Sequence, residues 1–216
     1  MDVLDIDMLT VVDHPLLKRD LTILRDRTTA HGLFRKTVSD AAAILAYETL
    51  RRIPLAEVDI QTPLESTTGY AIAEEVIVVP IMRAGLGMVD GFVRFVPEAR
   101  VGHLGMQRDE DTHQPVDYYA NIPDSVDRAQ VFVVDPMLAT GGTIDKAIEE
   151  CVSRGAEVKN IRIVCVVACP TSLSVLSDKY PGLRVYAAMI DEELNDQGYI
   201  IPGLGDAGDR AFGTLE

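Results

Sequence analysis

Four short apolar runs constrain the fold of this chain more than any other feature. They are "EVIVVPI" from Glu75, "VFVVD" from Val131, "IRIVCVVAC" from Ile161 and "LRVYAAMID" from Leu183. A half-buried strand alternates polar and apolar residues; these runs do not, so each needs cover on both faces. Helical stretches separate them. "TIDKAIEECVSRG", closed by Gly155, follows the second run, and a segment from Pro170 to near Pro181 follows the third. The alternation predicts an α/β fold, a central and largely parallel sheet with helices on both faces. Ligands in such sheets bind beyond the carboxyl ends of the strands, which is where the unusual loops of this chain fall. Upstream, "HPLLKRDLTILRDR" sets Leu16, Leu17, Leu21 and Leu24 near helical spacing, and Thr37 to Arg52 reads as a helix stopped by Pro54. "EVDIQTPLEST" alternates as a strand or hairpin does.

A chain of 216 residues without repeats or linkers predicts a single domain, 1–216. The formal charge of -14 argues against nucleic acid as the main partner, because phosphate backbones are bound by clustered Lys and Arg. A small phosphorylated ligand is compatible with that charge, since backbone N–H groups and a few local cations can hold it. The acidic start and the lack of a run of ~18 apolar residues point away from a secretory signal or membrane span and toward the cytoplasm. Cys151, Cys165 and Cys169 form no C-x-x-C pair and read as buried free thiols. His14, His31, His103 and His113 lie far apart, so no dedicated metal ligand is expected from the chain.

"VFVVDPMLATGGT" carries the chemistry. A strand ends in Asp135, and the turn that follows bears Thr140, Gly141, Gly142 and Thr143. No lysine stands where a Walker loop requires one. "GLGDAG" (Gly203 to Gly208) matches G-x-G-x-x-G literally, but only eight residues follow it, too few for a dinucleotide unit. What remains is a strand-end acid and a Thr/Gly turn at a helix N-terminus, where the backbone from Ala139 to Thr143 would cradle a phosphate. Asp135 would accept hydrogen bonds from two sugar hydroxyls, and phosphate plus vicinal diol describes a ribose 5-phosphate. An ordinary βα turn with glycines for tightness is the competing explanation of this stretch alone.

"VVDPMLATGGT" resembles the phosphoribosyl-diphosphate (PRPP) motif of the type I phosphoribosyltransferases, in the form typical of their uracil branch, with Pro136 after the acid. "HPLLKRDLTILRD", "PIMRAGLGMVDG", "IDEELNDQGY" and "GYIIPGLGDAGDRAFGT" resemble the same branch, so the similarity runs from His14 to Thr214. The resemblance implies the type I phosphoribosyltransferase fold and a reaction: uracil and PRPP give UMP and diphosphate, with Mg²⁺, in pyrimidine salvage. It implies that Asp135, Pro136, Met137, Leu138, Ala139, Thr140, Gly141, Gly142 and Thr143 hold ribose and 5-phosphate. Arg83 and Arg108 would meet the diphosphate, Arg108 with a catalytic part. Ile200, Gly205, Asp206 and Ala207 would frame uracil, with Asp206 also near PRPP and catalytic. Gln107 departs from the aromatic that many relatives place there. A homodimer or homotetramer and a GTP activator are implied by the family alone.

"GHLGMQRDEDTHQPVDYYANIP" reads as a polar-tipped hairpin, about 103–122, with Tyr118 and Tyr119 on its return arm. It would be a hood over PRPP that excludes water and is cut near Asp111 when open. Uracil presents an acceptor, donor, acceptor edge, which backbone groups of the loop at about 198–210 can match, Gly203, Gly205 and Gly208 allowing close approach. Cytosine would set donor against donor. Orotate would want a cation that "GYIIPGLGDAG" does not offer, and purines a wider pocket. A nucleotide-sensing regulator of the same fold that binds RNA is the alternative of a different class.

Overall fold

The computed structural model describes residues 8–108 and 115–214, with the side chains of 106–108 and 115–118 outside that description. Arg108 and Tyr118 are thus placed by backbone only, and Asp111 lies outside the described residues. In chain order the first elements are β1 (Leu9–Val11), α1 (Pro15–Arg25), α2 (His31–Thr49), β2 (Leu55–Gln61), β3 (Ser66–Ile72), β4 (Glu75–Met82) and α3 (Leu86–Val93). Next come β5 (Arg100–Val101), β6 (His103–Arg108), β7 (Pro115–Asn121), β8 (Ala129–Val134), β9 (Met137–Leu138) and α4 (Gly142–Ser153). The chain continues through β10 (Ile161–Ala168), α5 (Pro170–Lys179), β11 (Arg184–Ile190), β12 (Glu193–Leu194), β13 (Ile200–Ile201) and α6 (Ala207–Phe212).

The four apolar runs form β4, β8, β10 and β11, adjacent and parallel in the order β1-β11-β10-β8-β4-β6-β7. Their side chains divide between two cores at period two, as strands require. Phe132, Val134, Val164 and Val166 face α1, α2, α3 and α6, while Val131, Val133, Ile163 and Cys165 face α4 and α5. All eight residues of β10 are buried, which explains why its sequence does not alternate. The three cysteines are buried free thiols, and burial pushes the Cys151 thiol up to about 12. Among the described residues no helix is long and apolar enough to cross a membrane.

α1 is entered through His14, whose Nδ1 accepts from Leu16 N at 3.2 Å, followed by Pro15 in the first turn. Leu17, Leu21 and Leu24 line its buried face, but Leu16 is exposed, because the fourth leucine falls off the stripe. The second helix corrects the predicted boundaries: it begins at His31, and Leu50–Arg52 form a 3-10 turn after it. Gly32 obscured the start, yet Phe34 and Val38, one turn apart, are both fully packed. β2 and β3 form the predicted hairpin, registered from Leu55 opposite Ile72 to Gln61 opposite Ser66. The region about 103–122 is also a hairpin, β6 against β7, with a register shift between Gly105 and Met106. It extends the sheet, since β6 pairs in parallel with β4.

Candidate active site

β8 ends where proline enters the chain. Pro136 has no N–H to give, so the ladder with β10 breaks at Asp135 and resumes at β9, where Met137 pairs with Val167. The carbonyl of Pro136 instead accepts from Val166 N and Val167 N, both at 3.0 Å. This interruption turns the Asp135 side chain out of the sheet and into a cleft, where its Oδ1 accepts from Met137 N at 3.2 Å. After β9 the chain turns through Ala139, Thr140 and Gly141, whose φ of 86° places it in the left-handed region just before α4. Ser172, fully buried at the start of α5, donates through Oγ to Leu138 O at 3.2 Å and holds the turn from below.

The opposite wall comes from the C-terminal segment. β12 and β13 pair antiparallel around a turn in which Asn195 Oδ1 accepts from Gln197 N at 3.0 Å and Tyr199 N at 2.9 Å. Gln197, Gly198, Tyr199 and Ile200 are thereby presented to the cleft. The chain then passes Gly203 and Gly205, both at positive φ, into α6, which Asp206 caps by accepting from Asp209 N at 2.8 Å. So a six-residue helix opens within the literal G-x-G-x-x-G, at Ala207, with no second strand after it among the described residues.

The two walls enclose a volume of ≈ 270 Å³. Of the residues singled out from sequence, Asp135, Met137, Ala139, Thr143, Ile200, Gly205, Asp206 and Ala207 meet there. Gly208, expected from sequence to allow close approach to the base, lines it too, and Ala84, Gln197, Gly198 and Tyr199 complete the lining. Gln197 lies outside the predicted loop of about 198–210, and Gly198 and Tyr199 lie within it without having been named as site residues. Their signal was the "NDQG" turn, which marks a bend and not a ligand. Leu138 is core, Pro136 is buried at the break, Thr140 is exposed on the turn's outside, and Gly141 and Gly142 begin the helix.

The profile of the family described as "Uracil phosphoribosyltransferase" matches residues 11–214, which include both walls of this cleft. The chain belongs to the uracil phosphoribosyltransferase family. A protein of Salinibacter ruber named uracil phosphoribosyltransferase is 65% identical over 207 residues, covering 96% of this chain and 98% of its own length. One of Streptococcus agalactiae with the same name is 49% identical over 205 residues, 94% of this chain and 97% of that one. A solved structure of an Aquifex aeolicus protein superposes with a TM-score of 0.89 at 36% identity, covering 95% of this chain and 98% of the other. The matched span also holds the residues that set the electrostatics of the cleft.

Asp135 stands half-buried at the tip of β8, where apolar strands flank it and the Asp206 carboxylate is nearby. Burial first, and then the Asp206 charge, push its acid up to about 7, against the partial relief of the Met137 N–H. Arg83, at the start of the turn after β4, points elsewhere. Its Nη2 donates to Asp209 Oδ1 at 2.7 Å and its Nη1 to Thr214 Oγ1 at 3.3 Å, and its side chain is 53% exposed. Thr214 Oγ1, donating to Asp209 at 2.6 Å, and then the Arg83 guanidinium hold the Asp209 carboxyl below the usual carboxylate range. Arg83 therefore stands at the rim, on α6, rather than in the lining.

Proposed function

We propose that this chain transfers the phosphoribosyl group of PRPP to uracil, giving UMP and diphosphate. One observation carries the reading: the strand-end acid with its Thr/Gly turn and the glycine loop after β13 form the two walls of a single cleft. The sugar and its 5-phosphate lie along Asp135 to Thr143, where the N-terminal N–H groups of α4 attract an anion. Ionised Asp135 accepts from the ribose hydroxyls. The base lies along Ile200 to Ala207, its acceptor, donor, acceptor edge against main-chain groups. At the sugar's anomeric carbon the bond to diphosphate oxygen breaks, the bond to the uracil ring nitrogen forms, and the proton of that nitrogen leaves with the diphosphate product. The carbon passes through oxocarbenium character, so the protein's part is to align the reactants and receive charge on the leaving group.

Arg83 and Arg108 serve the diphosphate in this scheme, Arg83 by exchanging Asp209 for the incoming anion, which is more highly charged. Asp206 orients the base from the cap of α6. Magnesium fits the residues present. Asp135 and Asp206 bring hard carboxylate oxygens to one cleft, and their mutual repulsion is what a cation would relieve. Two carboxylates completed by substrate phosphates are the usual protein share of a Mg²⁺ site. When bound, the ion supplies charge neutralisation on the departing diphosphate. The whole chain works as one unit, with the hairpin at about 103–122 as the hood.

A diphosphate-release assay with PRPP, Mg²⁺ and uracil, cytosine, orotate, hypoxanthine or adenine in separate reactions tests this. Turnover with uracil alone is expected. PRPP binding without turnover of any base would replace the enzyme by a nucleotide-sensing regulator.

A further inference from the structure

The wall proposed to read the base is held by groups that do not line the cleft. Asp191 follows directly on β11 and is 5% exposed. One of its oxygens, Oδ1, accepts from Arg25 Nη2 at 2.8 Å, and the other, Oδ2, accepts from Gly203 N at 2.9 Å. Its own N–H is fixed to Ala168 O at 3.0 Å, so the carboxylate projects from the sheet itself. Gly203 has no alternative geometry. Its φ is 54°, and a Cβ there would stand 2.1 Å from Ile200 O.

One residue further on, Leu204 O accepts from Arg210 Nη1 at 2.8 Å. The same guanidinium donates to Leu24 O, donates to Asp26 O at 2.6 Å, and lies 4.3 Å over the Phe34 ring. Both anchors lead to one place, the C-terminal turn of α1, through Arg25 on one side and the carbonyls of Leu24 and Asp26 on the other. Between the anchored backbone of Gly203 and Leu204 and the cap at Asp206 lies only Gly205.

We propose that Asp191 is a positioning residue for base recognition: bridged between Arg25 and the Gly203 N–H, it fixes the main-chain groups that select uracil. This rests on the base-reading role proposed above for the loop. A main-chain reader discriminates only if its donors and acceptors are held in place, because a loop free to shift would meet the cytosine edge as readily. The Arg25–Asp191 pair holds it with a charge-assisted bond that is largely out of solvent.

The test is steady-state kinetics of full-length Asp191→Asn and Arg25→Met, with PRPP–Mg²⁺ affinity measured by calorimetry on the same proteins. Asparagine keeps the shape and an acceptor for Gly203 N but opposes an amide to Arg25. The KM for uracil should rise roughly ten- to a hundred-fold, and the preference for uracil over cytosine should fall, the range expected for a lost charged hydrogen bond. PRPP–Mg²⁺ affinity should fall several-fold less than uracil affinity, since the Asp135 wall is untouched and only Asp206 on the loosened loop is shared with that ligand. Arg25→Lys, which keeps the charge and loses the planar guanidinium, should fall between parent and Arg25→Met. An unchanged uracil KM overturns the proposal, as does a parallel loss of PRPP affinity in the Arg25 variants, which would make the pair a general structural prop. Should Asp191→Asn fail to fold, the Arg25 series decides. A parent protein that does not turn over uracil at all sinks the functional assignment instead, so the two failures are distinguishable.

Discussion

Asp135 is the residue on which sequence and structure agree most closely and on which pH should act. Its acid is raised from 3.8 to about 7 in the folded chain. Between those values the folded protein holds a proton that the unfolded chain has released, so stability falls as pH rises from about 4 through 7 and then levels. Asp135→Asn removes that dependence. The variant should be more stable than the parent at pH 8, with the difference closing toward pH 4, as urea midpoints across the range will show. A difference independent of pH would mean that the carboxyl is not raised. The parent's kcat/KM for PRPP should fall on the acid side of about pH 7, because only the ionised form accepts from two sugar hydroxyls. This carboxylate was legible because an acid closing an apolar strand has few structural uses. Asp191 closes an apolar strand too, but its partner Gly203 is twelve residues on and Arg25 lies 166 away, a bridge no local pattern announces.

At the scale of elements, the contact between α2 and α3 decides where the turn carrying Arg83 sits. Gly91 on α3 meets α2 at Ala42 and Ala43. A Cβ on Gly91 would lie 2.6 Å from Ala42 C and Ala43 N and 2.9 Å from Ala42 Cβ. The first two are backbone atoms of a helix, the third is the Cβ fixed to it, and none can give way singly. Gly91→Ala should destabilise the chain by about 1–3 kcal/mol, as overpacking does, despite alanine's better helix propensity. Denaturant unfolding with an unchanged m-value would measure it; a stabilised variant would show that the helices separate freely. Alanines at 41, 42, 43 and 46 favour a helix on sequence, but nothing in "MRAGLGMVDG" announces that its Gly91 meets them. The strands were legible for a simpler reason: burial on both faces leaves no polar residue in β8 before its end apart from Gln130, whose side chain donates to Glu74 at the sheet's lower edge. β1, β9 and β12 are too short for any periodicity to show, and β6 joins the sheet through a parallel pairing with β4 that only the fold brings about.

For the whole molecule, charge is the property that no single contact reveals. Acids outnumber bases by 34 to 20, giving the formal charge of -14. Ion pairs such as Lys18–Asp13, exposed by 63% and 75%, contribute at most about 1 kcal/mol each and often nothing. The excess of like charge remains after every such pair is formed, and it favours the expanded chain. Added salt weakens both terms, since charges further apart than ~10 Å are largely screened at 0.1 M. Attraction acts across one contact, whereas repulsion sums over the surface, so screening should help the fold on balance. The Tm should rise between 10 and 300 mM NaCl at pH 8 by an amount equivalent to about 1 kcal/mol, or ~2–4 °C for a chain of this size. Differential scanning calorimetry at several salt concentrations would settle the sign. A falling Tm would mean that paired groups such as Arg25–Asp191 and Arg83–Asp209, which tie the C-terminal wall to the rest, outweigh the global repulsion. In that case loss of uracil turnover should precede global unfolding as salt is raised, because the wall would loosen before the sheet does.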